Sequence, residues 1–164
     1  MKKLVLFILT VSVMALSLFG CGTSSKHFSG EWRFSKISEV KLMPEIDETS
    51  LDSLKEYYGA QDVDALAAAA LGKFATDGVF EPCYVKFGKK LSYTYDPVME
   101  REATWAFYQT GECEGFLSFY TELDASLGNP DPINNPDVVY NAETDTLLVT
   151  LRYSAFMVTV EMSR

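Results

Sequence analysis

Beyond residue 29 the sequence predicts a mainly β domain, in which an antiparallel meander closes into a barrel and two short helices are inserted after the first strand. Three observations support this prediction. Short runs of alternating apolar and polar residues recur along the chain, as in half-buried strands. Turn residues separate most of these runs by only a few positions, which favours antiparallel hairpins. Between residues 50 and 75 the apolar spacing changes to the helical period.

The first strand is predicted over Gly30 to Leu42. Trp32 and Phe34 alternate with polar residues in this stretch, which indicates one buried face and one exposed face. Pro44 ends the strand because it cannot donate a backbone hydrogen bond to a ladder.

Two helices are predicted next, over 50–59 and 62–75, because apolar residues there recur three and four positions apart. We expect Thr49 or Ser50 to cap the first helix and Asp62 the second, since these side chains accept hydrogen bonds from free N–H groups. The helices would lie over a barrel mouth or sheet edge, either as simple coverage or as a gate over a cavity.

The rest of the domain is predicted to be β structure, interrupted by one long proline-containing loop. Eight or nine short strands favour a closed barrel, because closure removes exposed strand edges. An eight-stranded barrel has an interior that side chains fill or that holds one small ligand. The remaining strand candidates are Val79–Phe80, Cys83–Phe87, Leu91–Tyr95, Ala103–Thr110, Gly115–Glu122, Val138–Asn141, Thr146–Tyr153 and Phe156–Met162, with the loop over Asp124–Asp137.

Residues 1–20 have the pattern of a secretory signal peptide. Two lysines precede an apolar run of 16 residues, Leu4 to Phe19, and the small residue Gly20 precedes Cys21. This ending resembles the lipobox of bacterial lipoproteins. In that family a diacylglyceryl group is attached to the cysteine and the leader is cut just before it. An uncut membrane anchor is the alternative, but the run is shorter than the roughly 20 residues of a spanning helix.

The resemblance implies a mature chain that begins at lipid-modified Cys21. Residues 21–29 would form a flexible tether, and residues 30–164 would form the barrel domain. The protein would be exported and held by its lipid at the outer face of the cell membrane, or at the outer membrane where the cell has one. A cleaved leader that left an unmodified thiol at Cys21 is a further alternative.

The charge of the domain excludes one class of partner. The leader holds two of the 14 basic residues and none of the 23 acidic residues, so the remaining chain carries 12 basic and 23 acidic residues, a net charge of −11. Nucleic-acid binding requires a basic surface for the phosphates and is not expected. The lipid would hold the protein at the membrane while the negative charge keeps the domain soluble.

Gly30-Glu31-Trp32 resembles the Gly-x-Trp motif that begins the first strand in the lipocalin-like, or calycin, group of β-barrels. In that group the tryptophan closes the base of the barrel, and an arginine from a late strand packs across its indole. The resemblance implies that Arg164 or Arg152 packs on Trp32, and Arg164 is favoured because it lies at the end of the last strand.

Aromatic residues make up 13% of the sequence, and several lie on predicted strands. If they point inward together they line an apolar cavity, which is the usual composition of a small-molecule site. The alternative is an ordinary filled core. The predicted ligand-binding residues are Phe34, Tyr93, Tyr95, Trp105, Phe107, Phe116 and Tyr120.

These observations lead to two hypotheses for the function. In the first, the protein is a cell-envelope lipoprotein that binds a small apolar or amphipathic ligand in the barrel. In the second, the barrel is filled and serves as an interaction or structural module for another envelope or host protein.

Enzymatic activity is not expected. The sequence lacks the Gly-x-Ser-x-Gly motif of an activated serine, and its one histidine, His27, lies in the predicted tether. Asp96, Glu100 and Glu102 cluster near a turn, where solvated carboxylates are the ordinary outcome. Neither a cofactor nor a metal site is predicted, since there is no Cys-x-x-Cys pair.

Cys83 and Cys113 both flank predicted strands. An exported protein lives where disulfides persist, so a bridge between them is possible. Two partly buried thiols are the alternative, because the sequence does not show whether the two Cα atoms are close enough.

Overall fold

The computed structural model describes residues 26–88, 92–97, 100–119 and 135–164. In these residues eight antiparallel strands form one closed barrel in chain order, and the last strand pairs with the first. The predicted barrel, with two helices after the first strand, is therefore confirmed. The elements are β1 (Gly30–Leu42), α1 (Glu48–Tyr58), α2 (Val63–Asp77), β2 (Tyr84–Phe87), β3 (Ser92–Asp96), β4 (Arg101–Gln109), β5 (Glu114–Phe119), β6 (Asp137–Asn141), β7 (Thr146–Tyr153) and β8 (Phe156–Ser163).

The long strand β1 closes the barrel because it pairs with both β2 and β8. Its ladder with β8 is interrupted between Phe34 and Lys36 and again between Ile37 and Glu39. An extra residue in one strand bends it and increases its twist. As a result Phe34, Ile37 and Val40, which are spaced three apart, all pair with buried residues of β8 and face the interior.

Both helices are capped by aspartates. Asp47 accepts a hydrogen bond from the Ser50 backbone N–H at 2.9 Å, and Asp62 accepts one from Ala65 N at 2.7 Å. The expected cap at Asp62 is confirmed. The expected cap at Thr49 or Ser50 is wrong, because both residues already lie in the first turn that Asp47 begins.

The helices cover the end of the barrel where β1 finishes and where β7 turns into β8. Helix α2 buries Leu66, Ala70 and Phe74, which lie four residues apart on one face. The Phe74 ring meets Tyr153 at 5.3 Å and Phe156 at 5.7 Å between ring centroids. Helix α1 buries no side chain completely. We call this the helix end, and we call the opposite end, where β1 begins and β8 finishes, the base.

The predicted short strand at Val79–Phe80 is wrong. Helix α2 continues to Asp77, and Gly78 then adopts a left-handed conformation with φ of 66° and begins a turn. Phe80 is buried because its ring packs against Phe74 of the helix, with 6.0 Å between centroids. An apolar pair that is buried by a helix looks the same in sequence as one buried in a sheet.

The inner side of β8 is apolar. Phe156, Val158, Val160 and Met162 alternate along β8, and all four are almost completely buried. The intervening residues pair with outward-facing positions on β1 and β7, including Lys36, whose ammonium lies 3.4 Å from Glu161. Within the described ranges no helix has the length and hydrophobicity needed to cross a membrane.

Gly115 on β5 permits close packing across the β4–β5 ladder. A Cβ atom there would lie 2.7 Å from the Tyr108 carbonyl oxygen and 2.5 Å from Cζ of Phe107. Because the backbone oxygen cannot move away easily, Gly115→Ala should lower the free energy of unfolding by about 1–3 kcal/mol in chemical denaturation.

Gly111→Ala is the matched control, because the nearest atom to a Cβ at Gly111 is the Glu114 Cβ at 3.6 Å, an ordinary contact. It should change the free energy of unfolding by less than about 0.5 kcal/mol. Equal effects of the two substitutions would show that the close packing over Gly115 is incorrect.

Candidate functional site

The base of the barrel is built around Trp32 and Arg164. Trp32 is fully buried near the start of β1, and the Arg164 guanidinium carbon lies 4.3 Å from its ring centroid. Arg164 also donates a hydrogen bond to the His27 carbonyl oxygen at 3.2 Å and lies 4.0 Å from Asp145. The other late arginine, Arg152, lies at the helix end, 3.9 Å from Glu45. Of the two arginines, Arg164 is therefore the one that packs on the tryptophan.

The turn Lys26–Phe28 seals the base, although it was expected to be part of a flexible tether. Phe28 is fully buried, and its ring lies 5.7 Å from Phe87 and 4.7 Å from Phe107 between centroids. The expected tether therefore ends before the turn, because a large apolar side chain gains more by filling the barrel mouth than by staying in water.

The ring of Tyr140 on β6 joins this turn to the strands. It stacks on His27 with 4.5 Å between ring centroids and meets Trp32 edge-on at 6.1 Å. Its hydroxyl donates a 3.0 Å hydrogen bond to Asp145. This bond raises the pKa of Tyr140 above its usual value, and burial adds to the effect. The base is thus closed by rings and by a small charged network.

One row of inward-facing residues crosses the first four strands just above the base. Trp32 of β1 pairs with Val85 of β2, which pairs with Thr94 of β3, which pairs with Ala103 of β4. We call these four residues the interior row. Trp32 is the largest side chain of the row, and the other three are short. Aromatic rings predominate between this row and the base. An eight-stranded barrel has an interior that side chains fill or that holds one small ligand, and short side chains favour the second.

The interior holds polar atoms but no charge among the buried side chains that the structure describes. Four polar side chains of the described residues are buried: Ser92, Thr94, Ser118 and Thr146. Ser118 pairs with Ala106 and Thr146 with Asn141, both at outward positions of their strands. Ser92 and Thr94 alternate with outward-facing positions on β3, so both hydroxyls lie on the inner face. The buried Nε1 of Trp32 has no hydrogen-bond partner among the described residues. This combination of apolar walls and a few polar groups is typical of a small-molecule site.

The structure brings together three of the aromatic residues that were expected to bind a ligand. Phe34 lies on the inner face opposite Met162, while Trp105 and Phe107 alternate along the inner face of β4. The side chain of Tyr93 and the whole of Tyr120 lie outside the described residues.

Tyr95 and Phe116 occupy outward positions in the ladders, contrary to expectation, although the half-buried Tyr95 still packs in part against the hydrophobic core. Tyr95 pairs with the exposed Glu102, one position beyond the inward-facing Thr94. Phe116 stacks on Tyr108 from the neighbouring strand, with 5.1 Å between ring centroids, on the face opposite Phe107. The ladder register sets these orientations, since a shift of one residue exchanges the two faces of a strand.

The carboxylate cluster predicted near the β3–β4 turn is partly described. Glu102 lies on the outer face, where it accepts a 2.6 Å hydrogen bond from the Tyr84 hydroxyl. This bond, with a smaller contribution from burial, raises the pKa of Tyr84 to about 12. The interaction joins β2 to β4 across the outer surface and belongs to no interior site.

The two cysteines of the described domain are not bridged, and its described residues bring together no cluster of metal ligands. No disulfide joins Cys83 and Cys113 in the structure. Cys83 is buried just before β2, and Cys113 lies in the β4–β5 turn at the base, where its carbonyl oxygen accepts from Tyr140 N. Cys21 and the predicted signal peptide, 1–20, lie outside the described residues. In the part of the chain that the structure describes, no three metal-ligating side chains cluster.

A groove of about 640 Å³ lies at the helix end, between α1 and the β7–β8 hairpin. Apolar side chains and serine or threonine hydroxyls line it, together with Arg152. It is on the opposite end of the barrel from the base, and it is open to solvent at the surface.

Comparison with known proteins adds no relative to this description. No protein-family model, curated protein or solved structure matched the chain. The closed barrel of eight antiparallel strands is consistent with a calycin-like barrel on its geometry alone.

The seal at the base predicts that Phe28 contributes strongly to stability. Phe28→Ala should lower the free energy of unfolding by about 3–5 kcal/mol in chemical denaturation, because it empties a fully buried site. Tyr57→Ala is the matched control, since this aromatic side chain is 68% exposed, and it should cost less than about 0.5 kcal/mol. A Phe28→Ala protein as stable as the control variant would contradict the sealed base.

Proposed function

We propose that this protein is a cell-envelope lipoprotein whose lipocalin-like barrel binds one small apolar or amphipathic molecule. Cys21 carries the lipid, and the interior row and the aromatic residues beneath it form the binding site. The barrel fold and the Gly30-Glu31-Trp32 motif support the lipocalin-like assignment. The Arg164 guanidinium over Trp32 supports it further.

The observation that carries the proposal is the lining of the interior row. Thr94 and Ala103 occupy the inner face of β3 and β4, where large apolar residues would fill the barrel. Trp32, Trp105 and Phe107 supply aromatic surface next to them. A small molecule in this space would contact apolar walls on most sides and a few hydroxyl and indole groups.

The closed base determines how a ligand would enter. Phe28 and the Arg164–Trp32 pair cover the base, so entry is from the helix end. Helix α1 is the less firmly held of the two helices at that end, because it buries no side chain completely. Movement of a weakly packed element requires less free energy than movement of a core strand.

The short connection to the lipid orients the barrel. Four residues lie between Cys21 and Lys26, where the docked turn begins, and the five Cα–Cα steps from one to the other span at most about 17 Å. The base therefore faces the membrane, and the helix end faces away from it. A ligand that enters from the helix end comes from the aqueous side of the envelope.

A filled interaction module is the second candidate, and the surface of the helix end supports it. Residues 44–82 include nine acidic and two basic residues, and all nine carboxylate side chains are exposed. Such a surface favours a basic partner through electrostatic attraction. The two functions differ in whether substitutions inside the barrel affect binding.

Filling the interior row tests the ligand hypothesis. Ala103→Phe places a large side chain on the inner face of β4 and should weaken binding of an apolar fluorescent probe by about tenfold or more. Thr104→Phe is the matched control, because Thr104 is the exposed neighbour on the same strand, and probe binding should not change.

Circular dichroism would establish that both variants keep the β fold. Equal probe affinity of the two variants would contradict a site in the interior. If the parent protein bound no probe and both variants still bound a protein partner, the results would favour the interaction module.

The anchor is tested by Cys21→Ser. This substitution removes the lipid attachment site, so the precursor should remain unprocessed and lose metabolic labelling with radioactive palmitate. Cys113→Ser is the matched control and should label normally. Unchanged labelling and processing of the Cys21→Ser protein would contradict the lipoprotein assignment.

A further inference from the structure

The indole N–H of Trp32 is a buried hydrogen-bond donor without an acceptor. Trp32 has no exposed surface, and its Nε1 makes no hydrogen bond to any residue in the described part of the chain. An indole nitrogen donates and does not accept, so only an acceptor atom satisfies it. Leaving a donor unsatisfied in the interior costs free energy, and a group that supplies an acceptor there recovers it.

The surroundings of this donor indicate what kind of group would supply the acceptor. Trp32 lies in the interior row with Val85, Thr94 and Ala103, across three neighbouring strand spacings of roughly 4.8 Å each. Val85 and Ala103 are apolar, and the Thr94 hydroxyl both donates and accepts. A ligand in this row thus meets apolar surface with two polar contact points.

Within the interior row a charged ligand group would meet no counter-ion. Among the described residues, every buried polar side chain is a serine or a threonine. Arg164 lies beside Trp32, but its side chain is 44% exposed, and its guanidinium is engaged by Asp145 and by the His27 carbonyl oxygen. A carboxylate at the interior row would lose its hydration without gaining a partner of opposite charge there.

We infer that the ligand of the barrel is an uncharged apolar molecule with a hydrogen-bond acceptor of the ketone or ester class, which accepts from the Trp32 indole N–H in the interior row. This inference rests on the proposed function, since it requires that the barrel holds a ligand. It adds the chemical class of the ligand and the residue that distinguishes that class.

Three probes of one chain length separate the alternatives. Methyl decanoate carries an uncharged acceptor, decane has no acceptor, and decanoate carries a charge. The protein has two tryptophans, so a spectrum of the ¹⁵N-labelled domain contains two indole N–H signals. Trp105→Phe identifies the signal of Trp32 by elimination. Arg164→Gln, which removes the cation over the Trp32 ring, gives an independent assignment if the first variant does not fold.

The inference predicts that methyl decanoate binds about tenfold more tightly than decane. It should also bind at least about tenfold more tightly than decanoate. At saturation with the ester, the Trp32 indole proton should move downfield, as expected for a new hydrogen bond. With decane the same signal should not show this downfield shift.

Two results would overturn the inference while the proposed function stands. One is equal affinity for the ester and the alkane, or tighter binding of the carboxylate. The other is an unchanged Trp32 indole signal at saturation with the ester. Failure of all three probes to bind would instead refute the proposed function, and the inference with it.

Discussion

The structure depends on the pairing of β1 with strands on both of its sides. A meander of eight strands remains an open sheet unless its first strand meets its last, and β1 does so along most of its length. Its two bulges coil the strand strongly, which permits it to leave β2 and follow β8. Because the ladder closes, the alternate residues of every strand share one interior, and that interior is the only large apolar volume of the described domain.

Closure alone leaves two open mouths, and different parts of the chain cover them. At the base, Phe28 fills the mouth while the Arg164 guanidinium covers the indole of Trp32. At the other end, α2 contributes a row of buried residues, and α1 packs more loosely beside it. The two ends therefore differ in physical character. A tightly packed base next to the proposed lipid anchor and a more loosely packed cover at the far end suit a barrel that takes up molecules from one direction.

Much of the fold follows from local sequence patterns. The alternation of Trp32 and Phe34 and the cap at Asp62 are short-range features, and the predicted barrel and helices depend on such features. The orientation of the site residues depends on which strands pair and in which register, and a local pattern does not contain this information. The predicted aromatic lining included Tyr95 and Phe116, because apolar residues of a strand usually face inward.

On β3 the arrangement is the reverse, since Thr94 faces inward and Tyr95 outward. Only the register with Val85 of β2 establishes this, and register is a property of two strands together. The role of Phe28 was missed for a similar reason. A lone phenylalanine among polar residues looks like part of a tether until the barrel mouth that it fills is known.

The central claim is that the barrel interior holds a small molecule, and native mass spectrometry of the protein purified from its own cells tests it most directly. The account predicts a protein mass with one additional small molecule bound, which dissociates on activation and is identified as an uncharged lipid-like compound. The Ala103→Phe protein purified in parallel should lack the additional mass. A parent protein that carries no bound molecule, and that takes up none from a lipid extract of the same cells, would contradict the account.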